Sequence, residues 1–172
     1  MDPSTERPRS DELLDEVKRS QHEKDIVDVE EERVKVVVFT SGGNRYAFYG
    51  RDIREILPPR EIFPVPSLPA GLPGLINVRG DIESVIDIRH FLGGTPADAA
   101  KCLIAIAERG AFRSGILIDS VEDVVDLPLS SIKPPLSTLG GNARELAAGE
   151  VELGSATATL LNLETLAGMV TL

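Results

Sequence analysis

The chain repeats itself, and that repeat limits its fold more than any other feature. Ala47-Phe48-Tyr49-Gly50-Arg51-Asp52-Ile53-Arg54-Glu55-Ile56-Leu57 aligns with Gly115-Ile116-Leu117-Ile118-Asp119-Ser120-Val121-Glu122-Asp123-Val124-Val125 at a shift of 68 residues. Each copy runs from a small residue through an apolar strand to an apolar–polar–acidic–apolar–apolar segment, and a Pro-Pro pair follows each, at 58–59 and 134–135. Gly74 to Gly93 then aligns with Gly149 to Gly168 at a shift of 75, which sets Ile86-Asp87-Ile88 on Leu161-Asn162-Leu163 and Gly80 near Gly154. Val36–Phe39 corresponds loosely to Cys102–Ala105. A shift that grows along the chain is what loop insertions produce. Two copies of one small β unit, each of about five strands, predict two similar β-barrels. Each is small to fold alone, because the fraction of surface buried falls with size. The two are therefore expected to pack together, with a seam or groove between them.

Local patterns agree. Val34 to Phe39 is a β-rich run, Ser41-Gly42-Gly43-Asn44 is turn chemistry, and Arg45 to Tyr49 reads as the returning strand. Asp52 to Leu57 is a bent strand or a single helical turn stopped by Pro58-Pro59, and Pro66 to Pro73 is a loop. Leu75 to Val78, a turn at Arg79-Gly80, and Ile82 to Ile88 form a second hairpin. Many short strands with Gly/Pro punctuation predict an all-β fold with minor α content. The two subdomains are expected to be intertwined and to divide at roughly 34–100 and 101–172.

Residues 1–33 differ. They hold 12 acidic and 6 basic residues but only 7 apolar ones, too few to offset the entropy of ordering them, so this leader is expected to be largely disordered. Within it, Ser10 could cap a short helix carrying Leu13, Leu14 and Val17 as an apolar stripe, with Lys18 and Arg19 in its last turn. A helix that short is marginal alone. It is either a partner-docking element or part of a solvated tail.

Charge and composition exclude several classes of function. A net charge of −10 argues against nonspecific nucleic-acid binding, and 4% aromatics with no Trp leave little for base stacking. No apolar run approaches membrane-spanning length and no signal-peptide pattern opens the chain, so a cytoplasmic protein without direct membrane insertion is expected. One cysteine, Cys102, and two histidines, His22 and His90, make a zinc site unexpected. There is no phosphate-binding GxxxxGK[ST] loop and no GxSxG elbow. Cys102 sits in the apolar strand Cys102-Leu103-Ile104-Ala105 and reads as a buried, inert thiol, and His90 as a surface residue at a turn. Asp119, Glu122, Asp123 and Asp126 form an acidic cluster without calcium-loop spacing, read as a solvated face. A hydrolase using Asp87 and Asp119 has no histidine, metal set or nucleophile to assist it. No catalytic residue, cofactor or metal is expected.

What remains is recognition surface. Asn77-Val78-Arg79-Gly80-Asp81 forms a hairpin tip, and Arg79 is one of 12 basic residues after position 33. A planar, five-donor side chain on a rigid turn suits gripping a partner's carboxylate. The alternative is an internal ion pair, with Asp87 or Asp81. Ile53, Ile56, Leu57, Leu68 and Leu72 lie on turn-like segments. Any left exposed at the seam would form a groove able to receive an amphipathic helix.

Gly74-Leu75-Ile76-Asn77-Val78-Arg79-Gly80-Asp81-Ile82-Glu83-Ser84-Val85-Ile86-Asp87-Ile88-Arg89 strongly resembles the signature stretch of CheW-like chemotaxis coupling proteins. Arg54-Glu55-Ile56-Leu57, Pro64-Val65-Pro66, Gly115 to Val121 and Leu161-Asn162-Leu163-Glu164 fall in that family's order, over about 34–172. The resemblance implies two SH3-like five-stranded barrels around a shared core, and a non-catalytic adaptor. Its implied partners are the regulatory domain of a CheA-type histidine kinase and the cytoplasmic tip of methyl-accepting chemoreceptors, in membrane-anchored arrays. Receptor helices would pack in the groove between the barrels. Arg79 matches the family's arginine tied to coupling. Ile53 and Glu55 match partner-facing positions on the bent segment, Gly74 and Gly115 match small residues beside the interfaces, and Val78 joins this partner-binding set. Glu83-Ser84 stands where an apolar residue and a proline are more usual, so a charge is expected on an exposed strand face or as a change in partner choice. Asn162 stands where aspartate is frequent. A peptide- or small-ligand-binding β-barrel module outside chemotaxis is the alternative function.

Overall fold

A computed structural model describes residues 31–170, and the leader readings at Ser10–Arg19 and His22 lie outside the described residues. Ten strands form two five-stranded sheets. In chain order they are β1 (Arg33–Ser41), β2 (Asn44–Tyr49), β3 (Ile53–Leu57), β4 (Gly74–Val78), β5 (Asp81–Asp87), β6 (Leu103–Arg109), β7 (Phe112–Ile118), β8 (Ser120–Pro128), β9 (Ala147–Leu153) and β10 (Ala156–Leu161). Among the described residues, three short helices are α1 (Ile88–Leu92), α2 (Gly141–Leu146) and α3 (Leu163–Val170).

The first sheet runs β8-β1-β2-β10-β9 and the second β3-β6-β7-β5-β4. Exchanging β1 with β6, β2 with β7, β3 with β8, β4 with β9 and β5 with β10 converts one order into the other. Each sheet also has its parallel pair at the corresponding place, β10 with β2 and β5 with β7. These are the strand pairs that the sequence repeat matches. The helix following each last strand is built alike too. Asp87 Oδ1 accepts from the Arg89 amide at 3.1 Å and Asn162 Oδ1 from the Thr165 amide at 3.1 Å. Either side chain caps a helix N-terminus, so asparagine at 162 keeps the function of an aspartate.

The sheets do not follow the sequence cut at 100/101. The first takes β1 and β2 from one copy and β8, β9 and β10 from the other; the second takes the complement. A 3₁₀ turn at Gly50–Asp52 carries the chain from the first sheet to the second, and Asp119 alone carries it back between β7 and β8. The repeat identifies equivalent strands but is silent on which copy supplies each sheet, and these short kinked links decide it.

Alternation along the strands shows that each sheet curls on itself. Val36, Val38, Ala47, Leu127, Val151, Ala158 and Leu160 form a cluster from the first sheet alone. Leu57, Ile76, Val78, Val85, Cys102, Ile104, Ile106 and Leu117 form one from the second sheet and its flanks. The intervening residues, among them Phe39, Phe48, Ile86, Ala105, Ile116, Ile118 and Leu161, point the other way into a shared core sealed by Phe91, Leu146 and Leu166. A strand buried on both faces reads as a nearly continuous apolar run, as Ile104 to Ala107 does. Burying one such Phe or Ile side chain stabilises by about 1.5–3 kcal/mol, so the shared core holds the barrels together strongly. The result is two five-stranded barrels around a common core. The seam is filled rather than open: Ile53 and Leu72 pack against its core and Leu57 lies inside the second barrel.

Candidate partner-binding surface

The β4–β5 turn is a two-residue hairpin connection between Val78 and Asp81. Its central residues Arg79 and Gly80 both have positive φ, 52° and 90°, as a type I′ turn requires. The three other two-residue hairpin turns place glycine first, at Gly42, Gly110 and Gly154. Arg79 therefore occupies a backbone conformation that a side chain disfavours and that equivalent turns give to glycine. Asn77 supports it: its Oδ1 accepts from the Gly80 amide at 2.8 Å, and its carbonyl accepts from Arg60 Nη1 at 2.8 Å.

The Arg79 side chain is 70% exposed and donates from Nη2 to Glu55 Oε1. Glu55 is on β3, the opposite edge of the same sheet, so the pair bridges the two edges of the second barrel. The Arg79 hydrogen bond holds the Glu55 carboxyl below its usual range, and the Glu55 carboxylate raises the Arg79 guanidinium. The internal partner is thus Glu55, not Asp87 or Asp81. Asp87 is committed to the amides of Arg89 and Ala97, the latter at 2.9 Å.

Next to the bridge lies a network that the sequence reading missed. Arg113 donates from Nε to Glu83 at 2.6 Å and from Nη1 to Glu108 at 2.9 Å, while Arg54 Nε reaches Glu108 at 3.1 Å. A bulge between Ile53 and Glu55 inserts Arg54 into β3. Glu83 was expected on an exposed strand face, yet it is 9% exposed. It alternates with Ser84 and points to the side of Val85 and the barrel interior, where Arg113 neutralises it. The signal was available in the register: the turn at Gly110-Ala111 sets Glu108 directly opposite Arg113.

The other expected site residues separate into surface and support. Ile53 is half-buried against the shared core, and the neighbouring Ile56 is 36% exposed. Val78 points into the second barrel and is 2% exposed, so it supports the turn from below and presents no side chain to a partner. Gly74 and Gly115 are also buried. A Cβ at 74 would overlap the Phe63 carbonyl oxygen, and one at 115 would lie 2.7 Å from Ile104 Cγ2. Both are glycine because β-structure closes around them. Ile82 beside the turn is 64% exposed, Ile56 next to Glu55 on β3 is 36% exposed, and Phe63 and Val65 are exposed in the segment between β3 and β4.

A second apolar surface opens where β2 leaves the first sheet. Val34, Val37, Tyr49, Gly50 and Val124 line a groove of about 460 Å³, rimmed by Arg33, Lys35 and Arg51. Val124 is 57% exposed, and Arg51 lies 4.6 Å above the Tyr49 ring. The sequence reading sought its groove at Ile53, Ile56, Leu57, Leu68 and Leu72, so it missed this one.

The carboxylates considered for chemistry do not converge. Asp119 fixes the β7–β8 kink, accepting from the Gly42 amide at 2.9 Å and Arg89 Nη2 at 2.6 Å. Glu122 pairs with Arg45, Asp126 with Arg33, and Asp123 accepts from the Val124 amide. No group of acids, histidines or cysteine among the described residues is arranged to hold a metal ion. Burial raises the Cys102 thiol above its usual range, and Asp119 adds to the effect. His90 is exposed in α1.

The model of the CheW-like domain matches residues 35–170. A probable chemotaxis protein CheW of Rhizobium etli is 28% identical over 133 residues, covering 77% of this chain and 86% of that protein. The chemotaxis protein CheW of Treponema pallidum is 24% identical over 143 residues, covering 80% and 84%. The crystal structure of the scaffolding protein TtCheW from Thermoanaerobacter tengcongensis superposes with a TM-score of 0.68 at 25% identity, covering 77% of this chain and 86% of that one. Twin barrels with exchanged strands, the arginine-tipped turn and these likenesses lead to one assignment: the chain belongs to the CheW-like family of chemotaxis scaffold proteins.

Proposed function

We propose that this protein is a non-catalytic cytoplasmic adaptor that joins the regulatory domain of a CheA-type histidine kinase to the cytoplasmic tip of a methyl-accepting chemoreceptor, within membrane-anchored arrays. One observation carries the reading. Arg79 keeps an exposed guanidinium on a left-handed residue where the sister turn uses Gly154. An exposed ion pair with Glu55 adds little stability, so folding alone gives no reason to keep arginine there. A partner carboxylate does, because a guanidinium offers Glu55 and a second carboxylate hydrogen bonds at once.

Exposed Ile82 beside the turn and Ile56 next to Glu55, with Phe63 and Val65 exposed ahead of β4, supply apolar contact area that a protein partner needs. The groove at Val37 and Val124 suits the second partner, since receptor tips are helical and an amphipathic helix can lay one stripe into an apolar channel. Coupling then passes through a rigid two-barrel body held by its shared core.

The test is titration of the full chain with purified kinase regulatory domain and, separately, with a receptor cytoplasmic fragment. Saturable binding to both is expected, with Arg79→Ala weakening the kinase complex at least tenfold. Binding to neither, combined with a thermal shift on adding compact ligands, would favour the ligand-binding module.

A further inference from the structure

The groove at Val37 and Val124 has three cations at its rim, of which Arg33 is paired with Asp126 while Lys35 and Arg51 are not paired among the described residues. Lys35 and Arg51 form no ion pair among the described residues, whereas Arg45, Arg54, Arg79, Arg89, Arg109 and Arg113 all do. A surface that is apolar along its floor and carries two unpaired cations, Lys35 and Arg51, at its edge fits an acidic segment with a narrow apolar stripe.

The chain carries such a segment. Asp11-Glu12-Leu13-Leu14-Asp15-Glu16-Val17 sets three apolar residues among four carboxylates. It is also tethered beside the groove. Glu32 is part of the groove wall, its carbonyl accepts from the Leu129 amide at 2.7 Å, and Glu31 Oε1 accepts from Ser130 Oγ at 2.8 Å. The leader therefore joins the barrels at the mouth of the channel. Fourteen residues lie between Val17 and Glu32, and a chain of that length can span about 20 Å, enough to turn back over Val34 and Val37. Such a tether holds the stripe at an effective concentration in the millimolar range, so even a weak contact is populated.

We propose that the leader, through Leu13, Leu14 and Val17, occupies the Val37–Val124 groove of its own chain. Its carboxylates lie toward Lys35 and Arg51. It thereby competes with the receptor helix for that groove. The docking stands on the groove and the leader alone; the competition rests on the adaptor reading above. The leader acts as an internal competitor, lowering receptor affinity by the fraction of time it is seated.

The test compares full-length protein with a full-length L13D/L14D/V17D variant, both methyl-labelled on valine. The Val37 and Val124 methyl signals should move in the variant, while Val85 and Val151 inside the barrels stay in place. A K35E/R51E variant, with the leader intact, should move the leader's own Val17 signal. Receptor fragment should bind L13D/L14D/V17D about fivefold more tightly than the unaltered chain. Unmoved Val37 and Val124 signals would overturn the docking. Differences that appear only at high protein concentration would assign the groove to a second copy and overturn it too. Moved signals with no receptor binding by either protein would support the docking and overturn the adaptor reading.

Discussion

The two barrels share one topology but differ at corresponding positions. Ile53 on β3 and Val121 on β8 both pack against the shared core, and Ile56 and Val124 are both exposed. Glu55 on β3 corresponds to the acid Asp123 on β8. The corresponding turns, however, carry Arg79 in the second barrel and Gly154 in the first. Among the described residues Asp123 consequently meets no guanidinium and accepts from the Val124 amide. One barrel has kept a relaxed turn; the other has kept a strained turn with a charged tip. At the turn the difference falls on one exposed position, where the proposed function, not the fold, gives arginine a reason to be kept.

The largest expected effect bears on what the barrels share. Phe48 lies in the common core at 1% exposure. Phe48→Ala should lower stability by about 3–5 kcal/mol. Because strands are exchanged, hydrogen-exchange protection in β4–β5 and β9–β10 should fall together in a single unfolding transition. Separate transitions for the two barrels would break the equivalence.

Next come the paired glycines. Gly149 has the constraint of Gly74: a Cβ there would lie 2.6 Å from Ile132 Cγ2 and 2.7 Å from the Lys133 carbonyl. Gly74→Ala and Gly149→Ala should each lose about 1–3 kcal/mol by overpacking, measured by urea denaturation. A large loss at only one site would show that the barrels close differently.

A smaller contrast concerns ion pairs. Lys133 and Glu152 in the first barrel are both exposed, and Lys133→Ala should change stability by no more than about 0.5 kcal/mol. Arg113→Ala should cost visibly more in the same assay, because it leaves Glu83 buried without its counter-charge. Equal effects would mean that Glu83 finds water.

The smallest effect is in titration. Glu55 titrates below an ordinary glutamate because Arg79 bonds it. Its contribution to stability is therefore present above the unfolded carboxylate range and disappears as pH falls through the depressed folded value. In Arg79→Gly the Glu55 carboxyl should titrate closer to its ordinary range by carbon-detected NMR. An unchanged value would mean that Arg60 or Arg113, which also act on Glu55, does the work.

Much of this was legible in the sequence because it is local. The strand pattern of the repeat and the hairpins at Gly42-Gly43 and Arg79-Gly80 depend on residues close together in the chain, whereas the caps at Asp87 and Asn162 became evident only with the helices they start. Intertwining of the two copies was expected, but which strands are exchanged was not legible, since the links at Gly50–Asp52 and Asp119 change sheets without any compositional mark. Arg79 stood out by its place in a turn, but its partner Glu55 is 24 residues away and is brought near only by barrel closure. Glu83 was misplaced for a related reason: at a barrel mouth, an interior-facing position can carry a charge if an arginine from the adjacent strand β7 answers it. Val78 shows the opposite error, a residue next to the turn that alternation sends inward.

On the proposed function, Arg79 is kept for partners at the expense of the turn. Arg79→Gly tests it most directly, because glycine is what the equivalent turn uses. Thermal unfolding and titration with kinase regulatory domain should be run on the same preparation. The midpoint should hold or rise while affinity drops at least tenfold. A lowered midpoint with affinity intact would contradict it and make Arg79 a structural residue.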